Sequence, residues 1–178
     1  MSTNTWPAPA EQPESPSSSD DAVPLLDPGK LIQAITGRIS GGSALVGWAR
    51  ELGDLHAELV AIQFGRTSRP GYIDGGRIHA EIDRTVDEIN AWAARHVRRA
   101  KCARKHTHSL GEVISHMART YAEAWWTVLH TSDVTLWHEV WSQLGEVRQG
   151  YADMVVEIRA RHLQLPLGAS AIRKRGVE

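Results

Sequence analysis

The chain has 178 residues, enough for one domain with a real core and, once a polar N-terminal stretch is set aside, too few for two. Its 20 Lys and Arg nearly balance 21 Asp and Glu, so no global charge calls for nucleic acid or an anionic membrane, and any electrostatic role is local. The single Cys102 excludes an internal disulfide and a zinc site built on Cys pairs; with no signal-peptide pattern and no apolar run of bilayer length, a cytoplasmic protein is expected.

Residues 1–28 are rich in Pro, Ser and acids and poor in large apolar groups, the composition of a disordered tail. Trp6 is an isolated aromatic within it. The segment 29–167 is expected to form the folded domain, and 168–178 a short basic tail with Arg173, Lys174 and Arg175. After Pro28 and Gly29, the apolar positions Leu31, Ile32, Ile35 and Ile39 predict a short amphipathic helix, ended by Ser40, Gly41 and Gly42. A long helix follows from about Ala44 to Phe64, with Leu45, Trp48, Leu52, Leu55, Leu59 and Ile62 at heptad-like spacing. Asp74 is the expected N-cap of the next helix, whose apolar positions are Ile78, Ile82, Val86, Ile89, Trp92 and Ala93. That helix ends in a basic run from Arg95 to Lys105, suited to the negative end of its dipole.

Ser109 and Glu112 make a capping box that starts a third long helix, running to about His130 with Leu110, Ile114, Met117, Tyr121, Ala124 and Val128 on one stripe. After Thr131 to Asp133, a fourth runs from near Thr135 to about Leu163, its stripe carrying Trp137, Val140, Leu144, Val147, Tyr151, Met154 and Ile158. Pro166 and Gly168 close it. The expected fold is therefore all-α: an antiparallel up-down four-helix bundle with a short accessory N-terminal helix.

Sorting polar residues by helix face leaves few chemical candidates. His79, Asp83, Asp87 and Asn90 form a ladder opposite their helix's apolar stripe and read as a solvated face. Glu51, Asp54 and Glu58, with Asp83 and Asp87, match only half of the carboxylate pattern of all-α magnesium-dependent nucleotide pyrophosphohydrolases. No Glu-x-x-His, P-loop, G-x-S-x-G, G-x-G-x-x-G or H-E-x-x-H occurs, so no catalytic residue, metal or cofactor is assigned. His56, His96 and His162 fall on apolar faces. Alternating helix directions gather His96, Arg98, Arg99, His106, His108 and His162 at one end, where helix amides, guanidinium groups and imidazoles suit a small anionic, phosphorylated ligand. Finally, Trp125 shares its helix's apolar stripe, while Trp126 points ~160° from the stripe's centre, with Arg119 and Ala122 on its side. These three form the expected interface, covered by the short helix, a second subunit or a partner protein.

Asp54-Leu55-His56, the segment His106-Thr107-His108-Ser109-Leu110-Gly111, and the stretch from Tyr151 to Pro166 together resemble actinobacterial members of a family catalogued as domain of unknown function 4254. The resemblance spans Leu45 to Pro166. It implies an all-helical fold and no established activity, cofactor or catalytic residue.

The leading functional expectation is a helical module that acts by protein association, as a homodimer or with a protein partner, without catalysis. The alternative is a small-molecule or metal-binding protein, or an enzyme, working at the His- and Arg-rich end. Near-neutral charge argues against nucleic acid, and no membrane partner is expected.

Overall fold

The computed structural model describes residues 24–65 and 72–166, and within these the chain is all-α apart from one two-residue strand pair. Five helices form where apolar periodicity places them: α1 Pro28–Ile35, α2 Ala44–Phe64, α3 Tyr72–His96, α4 Leu110–His130 and α5 Val134–Arg159; α3 starts ahead of its expected N-cap, so Asp74 lies inside the helix. Expected starts and stops shift by a few residues, as helix ends do. The α4 start has both halves of its capping box: Glu112 N donates to Ser109 Oγ, and Ser109 N donates to the Glu112 carboxylate at 2.6 Å. At α5, Asp133 Oδ1 accepts from the amides of Thr135 and Leu136.

α2 and α4 form the middle of the fold. α2 packs against α1, α3 and α4, and α4 against α2, α3 and α5, whereas α5 has α4 and α1 as its principal neighbours. Central helices bury more than one face, so α2 sequesters Leu45, Leu52, Leu55 and Leu59 on its expected stripe and also Val46, Ala49, His56 and Val60. Two glycines permit close crossings. A Cβ on Gly53 would collide with the Ile35 carbonyl of α1, and one on Gly111 with the Val86 carbonyl of α3.

Two expectations are corrected here. The basic run does not continue the third helix: α3 stops at His96, and Arg104–Lys105 form β1, paired in parallel with β2, Leu163–Gln164, beyond α5. Arg104 N donates to the His162 carbonyl and His106 N to that of Gln164. Nor does the folded part begin at residue 29, because Leu25 is buried, Tyr151 Oη donates to the Leu26 carbonyl at 2.7 Å, and Arg159 pairs with Asp27. The remainder of both tails, with Trp6 and Arg173 to Arg175, lies outside the described residues. No described helix is long and apolar enough to cross a membrane.

Candidate functional site

Three surface features compete for a functional role: the His- and Arg-rich end, a polar cleft between α3 and α4, and the tip of the α4–α5 hairpin.

At the first, the β1–β2 pair draws the expected residues to one region but divides them between two hollows. Arg98 and Arg99 line a crevice with Val97, Leu163 and Gln164, where the Arg99 guanidinium meets the Gln164 side-chain oxygen. His106 and His108 line a separate groove of about 470 Å³ with His116, Tyr151 and Met154. His96 and His162 line neither. They are exposed rather than set on apolar faces, and His96 stacks on Trp92 of its own helix with ring centroids 4.7 Å apart. The α4 amides expected to hold an anion are already engaged, Gly111 N by Asn90 Oδ1 at 2.9 Å and Glu112 N by Ser109. A carboxylate, Glu112, stands beside them. His106 Nδ1–H donates to the His108 carbonyl at 2.8 Å, which shapes the turn before α4.

The cleft between α3 and α4 has a volume of about 520 Å³. Asp83, Asp87 and Asn90 stand on its α3 wall, Ser115, His116 and Arg119 on its α4 wall, and His56 reaches it from α2. The face read as solvated thus borders a cleft, and Asn90 is buried because its carbonyl caps the first turn of α4. His56 Nε2 lies 2.9 Å from Ser115 Oγ. This is a hydrogen-bonded pair of the kind that activates a hydroxyl, but no group among the described residues partners Nδ1. Burial, aided by the Arg119 guanidinium and the neighbouring His79 and His116, pushes the His56 pKa down to about 4. A neutral imidazole that holds protons this weakly is a poor general base near pH 7. Among the described residues, no group of three or more His, Cys, Asp or Glu has the arrangement of a metal site.

The hairpin tip corrects the expected interface. Ala122 is buried, Arg119 pairs with Glu123 and borders the cleft, and Trp126 is half-buried with its ring stacked on His130 at 3.7 Å. The exposed indole is its neighbour Trp125. A single-stripe reading fails on α4 because neighbours cover three of its sides. Five of the eight exposed large apolar side chains among the described residues belong to this tip: Trp125, Leu129, Val134, Leu136 and Trp141. No side chain from Trp125 to Gln143 is buried, whereas Leu144 is. Between Glu123 and Glu139 the only Asp, Glu, Lys or Arg is Asp133, and it is occupied as the α5 N-cap.

Comparison of the chain with family models, with curated proteins and with solved structures finds no match.

Proposed function

We propose that this protein works by association with a second copy of itself, through the tryptophan-rich tip of the α4–α5 hairpin. The observation that carries the reading is a surface with aromatic and aliphatic side chains exposed and charge sparse, Asp133 being occupied as the α5 N-cap and Glu139 standing at its edge. Depleted charge with enriched Trp marks the core of an interface rather than ordinary surface. Weighting full side-chain areas by the exposed fractions of Trp125, Leu129, Val134, Leu136 and Trp141 leaves on the order of 500 Å² of apolar surface. That exceeds the few hundred Å² usual on a monomer, and it supplies much of the roughly 800 Å² that each partner contributes to a standard interface.

A second copy suits this surface better than an acidic partner or a lipid headgroup, because the span from Trp125 to Trp141 holds no Lys or Arg to offer either. α5 packs mainly on α4 and leaves no side chain buried before Leu144, so two hairpins related by a twofold axis would supply each other's missing helix neighbours in an isologous four-helix layer. The resemblance to domain of unknown function 4254 adds no activity to this reading.

Sedimentation equilibrium of the full chain tests it. The expected species from about 1 to 100 µM is a dimer, at twice the 19.7 kDa chain mass. A single-chain mass throughout that range overturns the proposal.

A further inference from the structure

The near-neutral total charge conceals a division of sign along the chain. From Ile89 to Gly111 the sequence has six Lys or Arg and no Asp or Glu, and from Ile158 to Val177 it has five more and again no acid. Eleven of the 20 cations therefore lie in two stretches, and all 21 acids share the rest of the chain with the other nine. The β1–β2 pair joins these stretches, so that Arg104 and Lys105 stand beside Leu163 and Gln164, directly after Arg161 and His162.

The fold itself has little use for this arrangement. A helix dipole acts on charges within the last turn, whereas α3 stops at His96 and the cations from Arg98 to Lys105 lie beyond it. Ion pairing absorbs only part of the charge. Arg104 meets Glu157 at 2.6 Å and Arg159 meets Asp27 at 3.1 Å, but the side chains of Arg95, Lys101 and Lys105 have no hydrogen bond or ion pair among the described residues. Every Arg and Lys from Arg98 to Lys105 is exposed, as is Arg161. Arg161 also takes a left-handed backbone position, with φ at 60°, just past the α5 C-cap, where glycine is the residue at ease. A cation is thus kept there against backbone preference and beside other cations, which repel it.

Like charges gathered on one surface are stabilised by a polyanion. We propose that this end of the fold binds double-stranded nucleic acid through its phosphate backbone, with Arg98, Arg99, Lys101, Lys105 and Arg161 as the phosphate contacts. Arginine outnumbers lysine among them, which suits bidentate contact with phosphate oxygens. Single strands are held largely by bases stacked on aromatic rings, and neither stretch has an exposed Trp, Tyr, Phe or large aliphatic side chain among its described residues. The same lack of an apolar anchor disfavours a lipid surface. Contacts to phosphate carry no sequence information, so binding is indifferent to base sequence. This surface lies apart from the hairpin tip, and the inference does not rest on self-association.

Fluorescence anisotropy of the full chain with labelled DNA and RNA duplexes of about 20 base pairs tests this and tells the two sources apart. At ~50 mM NaCl at least one duplex is expected to bind with a dissociation constant of about 10 µM or below, and a second duplex of unrelated sequence should bind equally. With about four phosphates neutralised, raising NaCl to ~200 mM should weaken binding about 150-fold, a log–log slope of about −3.6. Lys101→Gln combined with Lys105→Gln, both exposed, should make that slope shallower by about two units and leave circular dichroism unchanged. Arg38→Gln, which borders Trp125 and Leu129 at the far end of α4, should bind as the parent does. The proposal is overturned if neither duplex binds below about 100 µM at the lower salt, if affinity is indifferent to salt, or if the double variant binds as the parent does. Tighter binding of phosphatidylserine vesicles, or of a single strand of the same length, than of either duplex would overturn it as well.

Discussion

Trp141→Glu tests the proposed interface because a large part of the Trp141 ring is left open at the tip. The indole is 41% exposed, so roughly 100 Å² of a ~250 Å² side chain is available for burial. At about 25 cal/mol per Å² this amounts to ~2.5 kcal/mol per chain. An isologous interface uses the residue twice, which sets an upper figure of ~5 kcal/mol per dimer. The dimer dissociation constant should therefore rise by between about 60-fold and a few thousand-fold, and Leu129→Glu, at 60% exposure on the facing helix, should act in the same direction. The monomer should also lose stability, by up to ~4 kcal/mol, since the remaining roughly 150 Å² of the side chain is covered by its own fold. Sedimentation equilibrium at several concentrations measures the first effect, and urea unfolding at a concentration where both proteins are monomeric measures the second. Val156→Glu serves as control, being more exposed than Trp141 yet three turns or more beyond the tip. Equal dissociation constants for parent, Trp141→Glu and Leu129→Glu would show that a dimer, if formed, uses another face and that the charge-poor tip was misread.

Acid should destabilise the fold through His56. Its folded-state pKa of about 4 lies below the unfolded value of 6.5, so between these values the unfolded chain binds a proton that the folded chain refuses. The associated stability, about 3 kcal/mol, is fully present above pH 6.5 and is lost as pH falls toward 4. Urea midpoints of parent and His56→Gln across that range should converge at low pH, and parallel curves would refute the assignment. Gly111→Ala should cost about 1–3 kcal/mol, because the new methyl meets the Val86 carbonyl and Asn90 Oδ1 where α4 crosses α3; an unchanged melting temperature would contradict that crossing. Tyr151→Phe removes the hydrogen bond to the Leu26 carbonyl and should lower stability by about 1 kcal/mol. Hydrogen exchange and proteolysis should then rise at Leu25 to Asp27 before the helices are affected, and uniform protection would argue against that tether.

Helix identity was legible in this sequence because it depends on neighbours three and four residues away. The apolar spacing in α2 through α5, the Ser109–Glu112 capping box and the Asp133 stop-start between α4 and α5 are all local, and each is present in the structure. What one helix meets is not local. The β1–β2 pair joins residues about sixty apart and is too short to carry any periodicity, so no pattern announced it. The expected His and Arg cluster divides because backbone pairing at Arg104 and Leu163 sends the side chains into two hollows. Asp87 and Asn90 looked solvated when α3 was taken alone. Only the approach of Gly111 buries Asn90 and turns the Asp87 side into a cleft wall. Likewise Trp125 and Trp126 exchange their expected roles because α4 has neighbours on three sides, and the exposed direction is whichever one they leave open. The sequence by itself determined the helices and the run from Ala124 to His138, in which Asp133 is the only Asp, Glu, Lys or Arg. Tertiary structure alone decided which of their faces are available to bind anything, since exposure is a property of what packs nearby and not of the residue.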